Sequence, residues 1–346
     1  MSEHDVSERG LEVLRVIVSD YVENREPVGS KSIVERHRFN VSAATIRNDM
    51  AQLEEAEFIA APHTSSGRIP TDKGYRFFVD RLADFKPLTL AQRRAIEAFL
   101  EPGRGDYDQT LATAVRTLAH LTQSVAVLQV PSLAQARIRH VEIVKLSERR
   151  LMTVVITDAG RVEQRIGELD AIIDDELVER LRHRFGERLV GSTVSEAAAQ
   201  LRDASELIEA EHADLIAPVV ANLLDQVLSN TQDRLVMAGT ANLARTERDF
   251  PSSITPVLEA IEEQVALLRL ISELSLDDRD VGVCIGGEHE DASLTETAIV
   301  TTGYASESGE ARLGVLGPTR MDYQRNIVAV RAVARYLSKI FENEQR

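Results

Sequence analysis

The 346 residues make roughly two to three domains at ~150 residues each, and 43% apolar with 28% charged residues is an ordinary globular composition that excludes a disordered chain. Forty Lys and Arg against 56 Asp and Glu leave a net charge of −16, which excludes indiscriminate polyanion binding by the whole surface, so any nucleic-acid contact must be local. The single cysteine, Cys284, excludes an intramolecular disulfide and a Cys-rich zinc site, and no apolar run approaches the ~18 residues of a membrane-spanning helix.

Leu11, Leu14, Val18 and Val22 recur at helical spacing until Glu26-Pro27-Val28-Gly29 stops the run. Ser30 can cap a short second helix carrying Ile33 and Val34. Arg38-Phe39-Asn40-Val41 turns the chain, and Ser42 caps a third helix whose buried stripe is Ile46, Met50 and Leu53. Two extended arms, Phe58 to Pro62 and Arg68 to Pro70, flank the small polar tip His63-Thr64-Ser65-Ser66-Gly67, and their prolines make the hairpin an edge ribbon. Thr71 then caps a helix beginning at Asp72. These elements spell a winged helix-turn-helix over residues 1–84, and residues 85–106, with Pro87, Pro102, Gly103 and Gly105, are predicted to be a linker.

A helix from about Asp108 to Gln123 is predicted next, followed by strands at 124–130, 138–146, 151–157 and 161–166, the last two joined by Asp158-Ala159-Gly160 in an antiparallel meander. From 174 to about 274 the period becomes helical: Leu177, Leu181 and Phe185 line one helix, Ala198 and Leu201 a shorter one, and Leu258, Ile261, Val265 and Leu268 a long one. Strands resume at 281–285, 297–302 and 312–316, and a closing helix carries Ile327, Val330, Ala334, Leu337 and Phe341. The fold class is therefore α+β, with a mainly helical block over 170–275 interrupting a sheet. No Walker loop, Rossmann glycine triad, His-Glu-x-x-His or nucleophile elbow occurs, so neither catalysis nor a cofactor or metal is expected.

With Ile46 facing the core, a step of 100° per residue turns Ala44, Asn48, Ala51 and Gln52 outward, with Thr45 and Arg47 on the flanks. The first turn thus offers Ser42, Ala44, Thr45, Arg47 and Asn48 to solvent, the chemistry a major-groove reader needs: Arg47 for guanine, Asn48 for adenine, Ala44 or Thr45 for a thymine methyl. Residues 30–76 hold seven cations against six anions, so phosphate contact is thin, yet Lys31, Arg36, Arg38, Arg47, Arg68, Lys73 and Arg76 can gather on one side. At the wing, Gly67 allows close backbone approach, Thr64, Ser65 and Ser66 suit phosphate oxygens, and His63 or Arg68 can enter a minor groove. A solvated surface helix, or a winged helix that binds protein, fits the same residues.

The doubled apolar pairs Leu215/Ile216, Val219/Val220, Leu223/Leu224 and Val227/Leu228 make a stripe wider than a surface helix needs. The expectation is that Val220, Leu223, Leu224 and Val227 form a dimer interface, with burial inside one chain as the alternative; a two-fold dimer suits a palindromic DNA site. Gly286-Gly287 and the Gly314 to Tyr323 turn can shape a small-molecule pocket or serve as tight turns. Cys284 is expected in a buried strand and His289 in a solvated loop. The acidic start Met1-Ser2-Glu3-His4-Asp5 lacks the order of a secretory signal, which points to the cytoplasm.

The runs Val28-Gly29-Ser30, Ser42 to Met50 and Pro62 to Arg76, together with Gly314-Val315-Leu316-Gly317-Pro318-Thr319-Arg320-Met321-Asp322-Tyr323, closely resemble the bacterial heat-inducible transcription repressor family HrcA. The resemblance covers essentially the whole chain. It implies a winged-helix domain, a GAF-like domain at 107–169 and 276–346, and an inserted dimerising domain at 170–275. It further implies a homodimer on an inverted-repeat operator of chaperonin and Hsp70-system genes, kept active by a GroE-type chaperonin and released by heat, with no catalysis. A ligand-responsive winged-helix regulator, with an effector pocket in the GAF-like domain, is the alternative. Ser66 stands where the family often has Ala, and Glu57 where Gly often ends the third helix; a left-handed Glu57 would cost ~1 kcal/mol.

Overall fold

The computed structural model describes residues 6–63, 66–83, 89, 107–203, 212–229, 231–250, 252–278, 280–306 and 309–344. Apart from Thr89, the expected linker lies outside the described residues. Two compact units emerge: Met1–Leu128 with Leu235–Tyr304 and Arg312–Arg346, and Gln129–Arg234 with Ala305–Ala311.

The first unit begins with α1 (Glu8–Asn24), α2 (Ser30–Arg36), α3 (Ala43–Glu55), the ribbon strands β1 (Ile59–Ala60) and β2 (Ile69–Pro70), and α4 (Asp72–Phe77), which runs on through a wider turn to Leu82. Each helix starts where a side chain can satisfy its free N–H groups: Ser7 accepts from Gly10 N–H, Ser42 from Thr45 N–H and Thr71 from Gly74 N–H. Leu14, Ile17, Ile33, Ile46 and Leu53 are fully buried and hold the three helices together, each contributing about 1.5–3 kcal/mol by leaving water. The chain continues into α5 (Tyr107–Thr122) and β3 (Val125–Val130).

The second unit comprises β4 (Ile138–Ser147), β5 (Arg150–Thr157), β6 (Val162–Glu168), α6 (Asp175–Leu189), α7 (Val194–Arg202) and α8 (Ala213–Leu228). The three strands form the expected antiparallel meander, with Val141 opposite Val155 and Val155 opposite Glu163. Helices start on Asp174, which accepts from Leu177 N–H, and on a reciprocal Thr193–Glu196 capping pair. One core joins Val141, Ile143, Leu151 and Val155 of the sheet to Leu181, Phe185, Ala198 and Leu223 of the helices.

The chain then returns to the first unit with β7 (Arg234–Ala238), α9 (Thr240–Arg245), α10 (Thr255–Glu262), α11 (Val265–Glu273), β8 (Val281–Ile285), β9 (Thr297–Ser306), β10 (Gly309–Pro318) and α12 (Tyr323–Glu344). Its sheet has the order β7-β3-β10-β9-β8, with β3 antiparallel to β10 and β8 antiparallel to β9. Val257, Ile261, Leu267 and Ile271 pack against Val125, Val127, Ile299 and Leu316.

Several expectations need correction. The meander at 138–168 shares its core with α6–α8, and residues 235–274 share theirs with β3 and β10, so the compact units divide near 129 and 235 instead of 170 and 275. Residues 234–238 are a strand: Leu, Met and Ala there favour helix, and the pairing that overrides them comes from a strand about a hundred residues away. The long helix through Val265 is two, broken at Gln264 with φ +43°. Leu223 and Val227, expected at a dimer interface, are 0% and 1% exposed within one chain, and Val220 and Leu224 pack half-buried on the same core. The reason is polar as well as apolar: Gln226 of α8 is fully buried, donates to the Thr153 carbonyl at 3.0 Å and accepts from the Thr153 hydroxyl at 3.2 Å, which fixes that side of the helix on the sheet.

Candidate nucleic-acid interface

The first turn of α3 is polar, capped and open. Ser42 Oγ accepts from Thr45 N–H at 3.2 Å and lies 3.0 Å from Thr45 Oγ1, so cap and first turn are fixed relative to each other. Ile46, Asp49, Met50 and Leu53 face inward, which leaves Ser42, Ala44, Arg47 and Asn48 exposed and Thr45 half-buried. Among the described residues, Ala44, Arg47, Asn48 and Lys31 make no ion pair or side-chain hydrogen bond, so their groups are available to a partner. Lys31 stands exposed in the first turn of α2.

What holds α3 is a residue that pattern reading passed over. Asp49 is buried, and Arg9 of α1 donates to both its oxygens, Nε at 2.7 Å and Nη2 at 3.0 Å. Behind it, His37 lies 2.9 Å from Asp20 and ties the turn after α2 to α1. An aspartate between an outward Asn48 and an inward Met50 gives no sign of its role, because its partner is forty residues away.

The wing is braced rather than loose. Val28 pairs with Arg68 through two backbone hydrogen bonds of 2.9 Å, adding a third arm to the ribbon. A side chain at Gly67 would sit 2.6 Å from the Pro27 backbone, so the glycine is required by that crossing and not by an approach to a ligand. Ser66 closes the tip, donating to the His63 carbonyl at 2.7 Å and accepting its N–H at 3.0 Å, and His63 is exposed. Thr64 and Ser65 lie outside the described residues. Arg68, 27% exposed, donates to Glu54 at 2.9 Å and thereby locks the wing to α3. Lys73 donates to the Ala56 carbonyl at 2.9 Å and lies 5.3 Å from the centre of the Phe58 ring. Glu57 does adopt φ +63° at the end of α3.

Arg76 is committed elsewhere in the first unit. Its Nε donates to Glu288 at 2.7 Å and its Nη2 to the Val283 carbonyl at 2.8 Å. Burial works against charge on Glu288, but Arg76 and the Ile285 N–H hold its carboxyl below the usual range. Asp72 accepts from Gly287 N–H at 2.9 Å, and a side chain at Gly286, φ +55°, would lie 2.0 Å from the same carboxylate. The glycine pair that suggested an effector pocket is thus filled by α4. Arg320, in the other candidate turn, donates to Asp249 at 2.9 Å and 3.2 Å and to the Tyr21 and Val22 carbonyls, pinning the end of α1. Eleven of the thirteen expected contacts therefore separate: Lys31, Ser42, Ala44, Thr45, Arg47, Asn48 and His63 sit on open or half-open surface, while Gly67, Arg68, Lys73 and Arg76 secure the fold, and Thr64 and Ser65 lie outside the described residues.

His289 is buried, not solvated. Its Nε2 donates to the Thr297 carbonyl at 3.1 Å, which leaves Nδ1 to accept from Cys284 Sγ at 3.4 Å. Burial pushes the thiol up to about 11 and the imidazole below its ordinary value, so both are neutral and the thiol is unreactive at neutral pH. Among the described residues no cluster of His, Cys, Asp and Glu suits a metal ion, and no helix is long and apolar enough to cross a membrane.

A helix-turn-helix with a braced wing and an uncommitted polar first turn, followed by an α+β body, defines a winged-helix transcription regulator. The family model described as HrcA protein C terminal domain matches residues 108–327. Relatives named heat-inducible transcription repressor HrcA are 60% identical over 338 residues in Clavibacter michiganensis subsp. michiganensis, covering 97% of this chain and 99% of the relative. In Leifsonia xyli subsp. xyli the identity is 56% over 336 residues, with the same two coverages. A crystal structure described as that of a hypothetical protein at 2.2 Å resolution is 26% identical, with a TM-score of 0.74 over 98% of this chain and 99% of that one. The chain belongs to the HrcA family of heat-inducible transcription repressors, which are regulators and not enzymes.

Proposed function

We propose that this chain acts in the cytoplasm as a homodimer that binds an inverted repeat upstream of chaperonin and Hsp70-system genes and blocks their transcription until heat weakens its hold. The observation that carries this is the capped first turn of α3, where Ser42, Ala44, Arg47 and Asn48 are exposed and none of the last three has an intramolecular partner among the described residues. Arg47 supplies a bidentate donor for guanine O6 and N7, Asn48 a donor–acceptor pair for adenine, and Lys31 and His63 flank them for backbone contact.

A second copy is the occupant we assign to the outer face of the β4–β6 sheet. Register places Val144, Met152 and Ile166 in one row and His140, Ile156 and Val162 in another, with Glu142, Val154 and Gln164 between them, away from the side that carries Val141, Thr153 and Val155. Val162 and Ile166 are 56% and 55% exposed, whereas an antiparallel sheet with one covered face normally turns polar side chains to water. Seven residues by three strands give a footprint of roughly 23 Å by 14 Å, and exposed Leu146 of β4 extends it. The same face, uncovered when warming opens the dimer, is the apolar surface a GroE-type chaperonin would hold.

An electrophoretic shift with the chaperone-operon repeat, beside scrambled and half-site duplexes, tests the reading. Selective binding of the full repeat supports it; equal binding of the scrambled duplex rejects it. A thermal shift by a metabolite, with operator release, would favour the effector-controlled alternative, for which the filled Gly286–Gly287 turn offers no support.

A further inference from the structure

Helices α5 and α12 pack on one another and carry acidic residues only at their ends, Asp108 in the first and Glu342 and Glu344 in the second. Asp and Glu make up 56 of 346 residues, about one in six, yet the 34 residues of 109–123 and 323–341 contain none. The same spans hold Arg116, Arg325, Arg331, Arg335 and Lys339. Arg325, Arg335 and Lys339 are exposed and Arg331 half-exposed, and among the described residues none of these four side chains makes an ion pair or hydrogen bond, while the Arg325 N–H donates to the Asp322 carboxylate at 3.0 Å. On α12 the steps 331, 335 and 339 recur every turn, so these cations share one face, with Arg325 at its edge. The opposite face is sealed by Ile327, Val330, Ala334, Leu337 and Phe341, which fixes the orientation of the stripe. In a chain of net charge −16, these unpaired cations run against the general trend, with Asp322 and Glu342 only at the two ends of the stripe.

The kind of partner follows from what the stripe lacks. Among the described residues, no large apolar side chain of α5 or α12 is exposed, which leaves no anchor there for a protein interface, where an apolar centre with a polar rim is the rule. Arginine predominates, which suits phosphate oxygens. From Arg325 to Lys339 the stripe extends about 21 Å, the length of roughly six base pairs. Its beginning is tied to the winged helix, since Tyr323 packs on Tyr75 of α4 with ring centres 5.6 Å apart and Arg320 donates to the last turn of α1. We infer that the α12 stripe is a second, sequence-independent DNA contact that grips phosphates of duplex flanking the operator. This rests on the DNA-binding function proposed above and extends it to a surface outside the winged helix.

The test uses the full-length protein with Arg331→Gln, Arg335→Gln and Lys339→Gln combined, and a charge-keeping Arg331→Lys/Arg335→Lys control. Fluorescence anisotropy measures binding from ~50 to ~250 mM KCl to the bare repeat, to the repeat with ~15 base pairs on each side, and to a scrambled duplex of the longer length. Flanks should strengthen wild-type binding, and the triple variant should lose that gain while binding the bare repeat normally. The slope of log affinity against log salt should fall by about 0.9 per lost phosphate contact, hence about 2.7 for three contacts in one protomer, and the scrambled duplex should bind at least about tenfold more weakly at low salt. The charge-keeping control should retain the wild-type slope, which separates charge from folding.

Equal slopes for wild type and triple variant on both long duplexes would overturn the inference, as would a wild type that binds no duplex at low salt. Unchanged DNA binding with lost binding to poly-glutamate would assign the stripe to an acidic polypeptide and also overturn it. Wild type that fails to prefer the repeat, but whose scrambled-duplex slope still falls in the variant, leaves the stripe standing and rejects only the operator reading.

Discussion

Helices α3 and α8 are both amphipathic and both invited a functional reading, but only one has a free face. In α3 the side away from Ile46, Met50 and Leu53 is polar, so sequence alone distinguishes core from surface. In α8 apolar residues lie on both sides, and the structure uses Ile216, Val219, Leu223 and Val227 against its own sheet while Leu215, Val220, Leu224 and Leu228 pack at the margin of the same core. On the other side of that sheet, Val144, Val162 and Ile166 remain open. A doubled stripe reports that much burial is needed, without saying against what; a polar stripe opposite an apolar one reports which side is left for a partner.

Substitutions can break this contrast. The largest effect is expected for Leu223→Ala, which should destabilise the second unit by about 2–5 kcal/mol in urea unfolding, because a fully buried leucine leaves a cavity. A folded, stable monomer from Leu223→Ala would return the interface to α8. Its counterpart, Ile166→Asp, should retain stability and secondary structure but yield monomers in light scattering; a persistent dimer would remove the sheet face from the interface.

Within the winged helix, Arg47→Ala should lose about 1–3 kcal/mol of operator binding and relax base choice, without change in thermal stability. Arg68→Ala should behave in the opposite sense, lowering stability by about 0.5–1.5 kcal/mol through the lost Glu54 contact, with base choice retained. Glu57→Gly should raise stability by up to about 1 kcal/mol by relieving a left-handed non-glycine residue, with operator affinity unchanged.

The smallest effect is one of pH. His289 is held neutral by burial, so its folded value lies below the unfolded value of about 6.5, and the unfolded chain binds the extra proton. Its stabilising contribution is present above that range and declines as pH falls through it. His289→Asn should flatten the corresponding part of a stability–pH curve, and an unchanged slope would show that the imidazole does not titrate on unfolding.

The winged helix was legible because its signals are local: Ser42 and Thr71 as caps, Ile46, Met50 and Leu53 at helical spacing, and Pro and Gly at the ends of the ribbon. The exposure of Ser42, Ala44, Arg47 and Asn48 followed from the same spacing. The clamps were not legible, because Arg68 with Glu54, Arg9 with Asp49, Arg76 with Glu288 and Arg320 with Asp249 are joined across 14 to 212 positions, and an arginine bound to a carboxylate looks in sequence like one free to bind phosphate. The unit boundary escaped for a related reason. Strands β4 and β5 alternate as any half-buried strand does, and nothing local says which helices cover them. His289, between two glutamates, resembles a solvated loop until the Thr297 carbonyl and Cys284 are brought around it.

The chain's own chemistry provides a direct test of whether the outer side of α3 meets DNA. Cys284 is the single cysteine, and its buried thiol, pushed up to about 11, should label slowly with maleimide at neutral pH, a background that the wild type measures. Ala44→Cys therefore introduces one reactive thiol on the exposed first turn. Its labelling rate should drop sharply when the inverted-repeat duplex is bound at saturation and remain unchanged with the scrambled duplex. Labelling at the same rate in the free and operator-bound protein would show that this turn stays in solvent, and would contradict the assignment of α3 as the reading element.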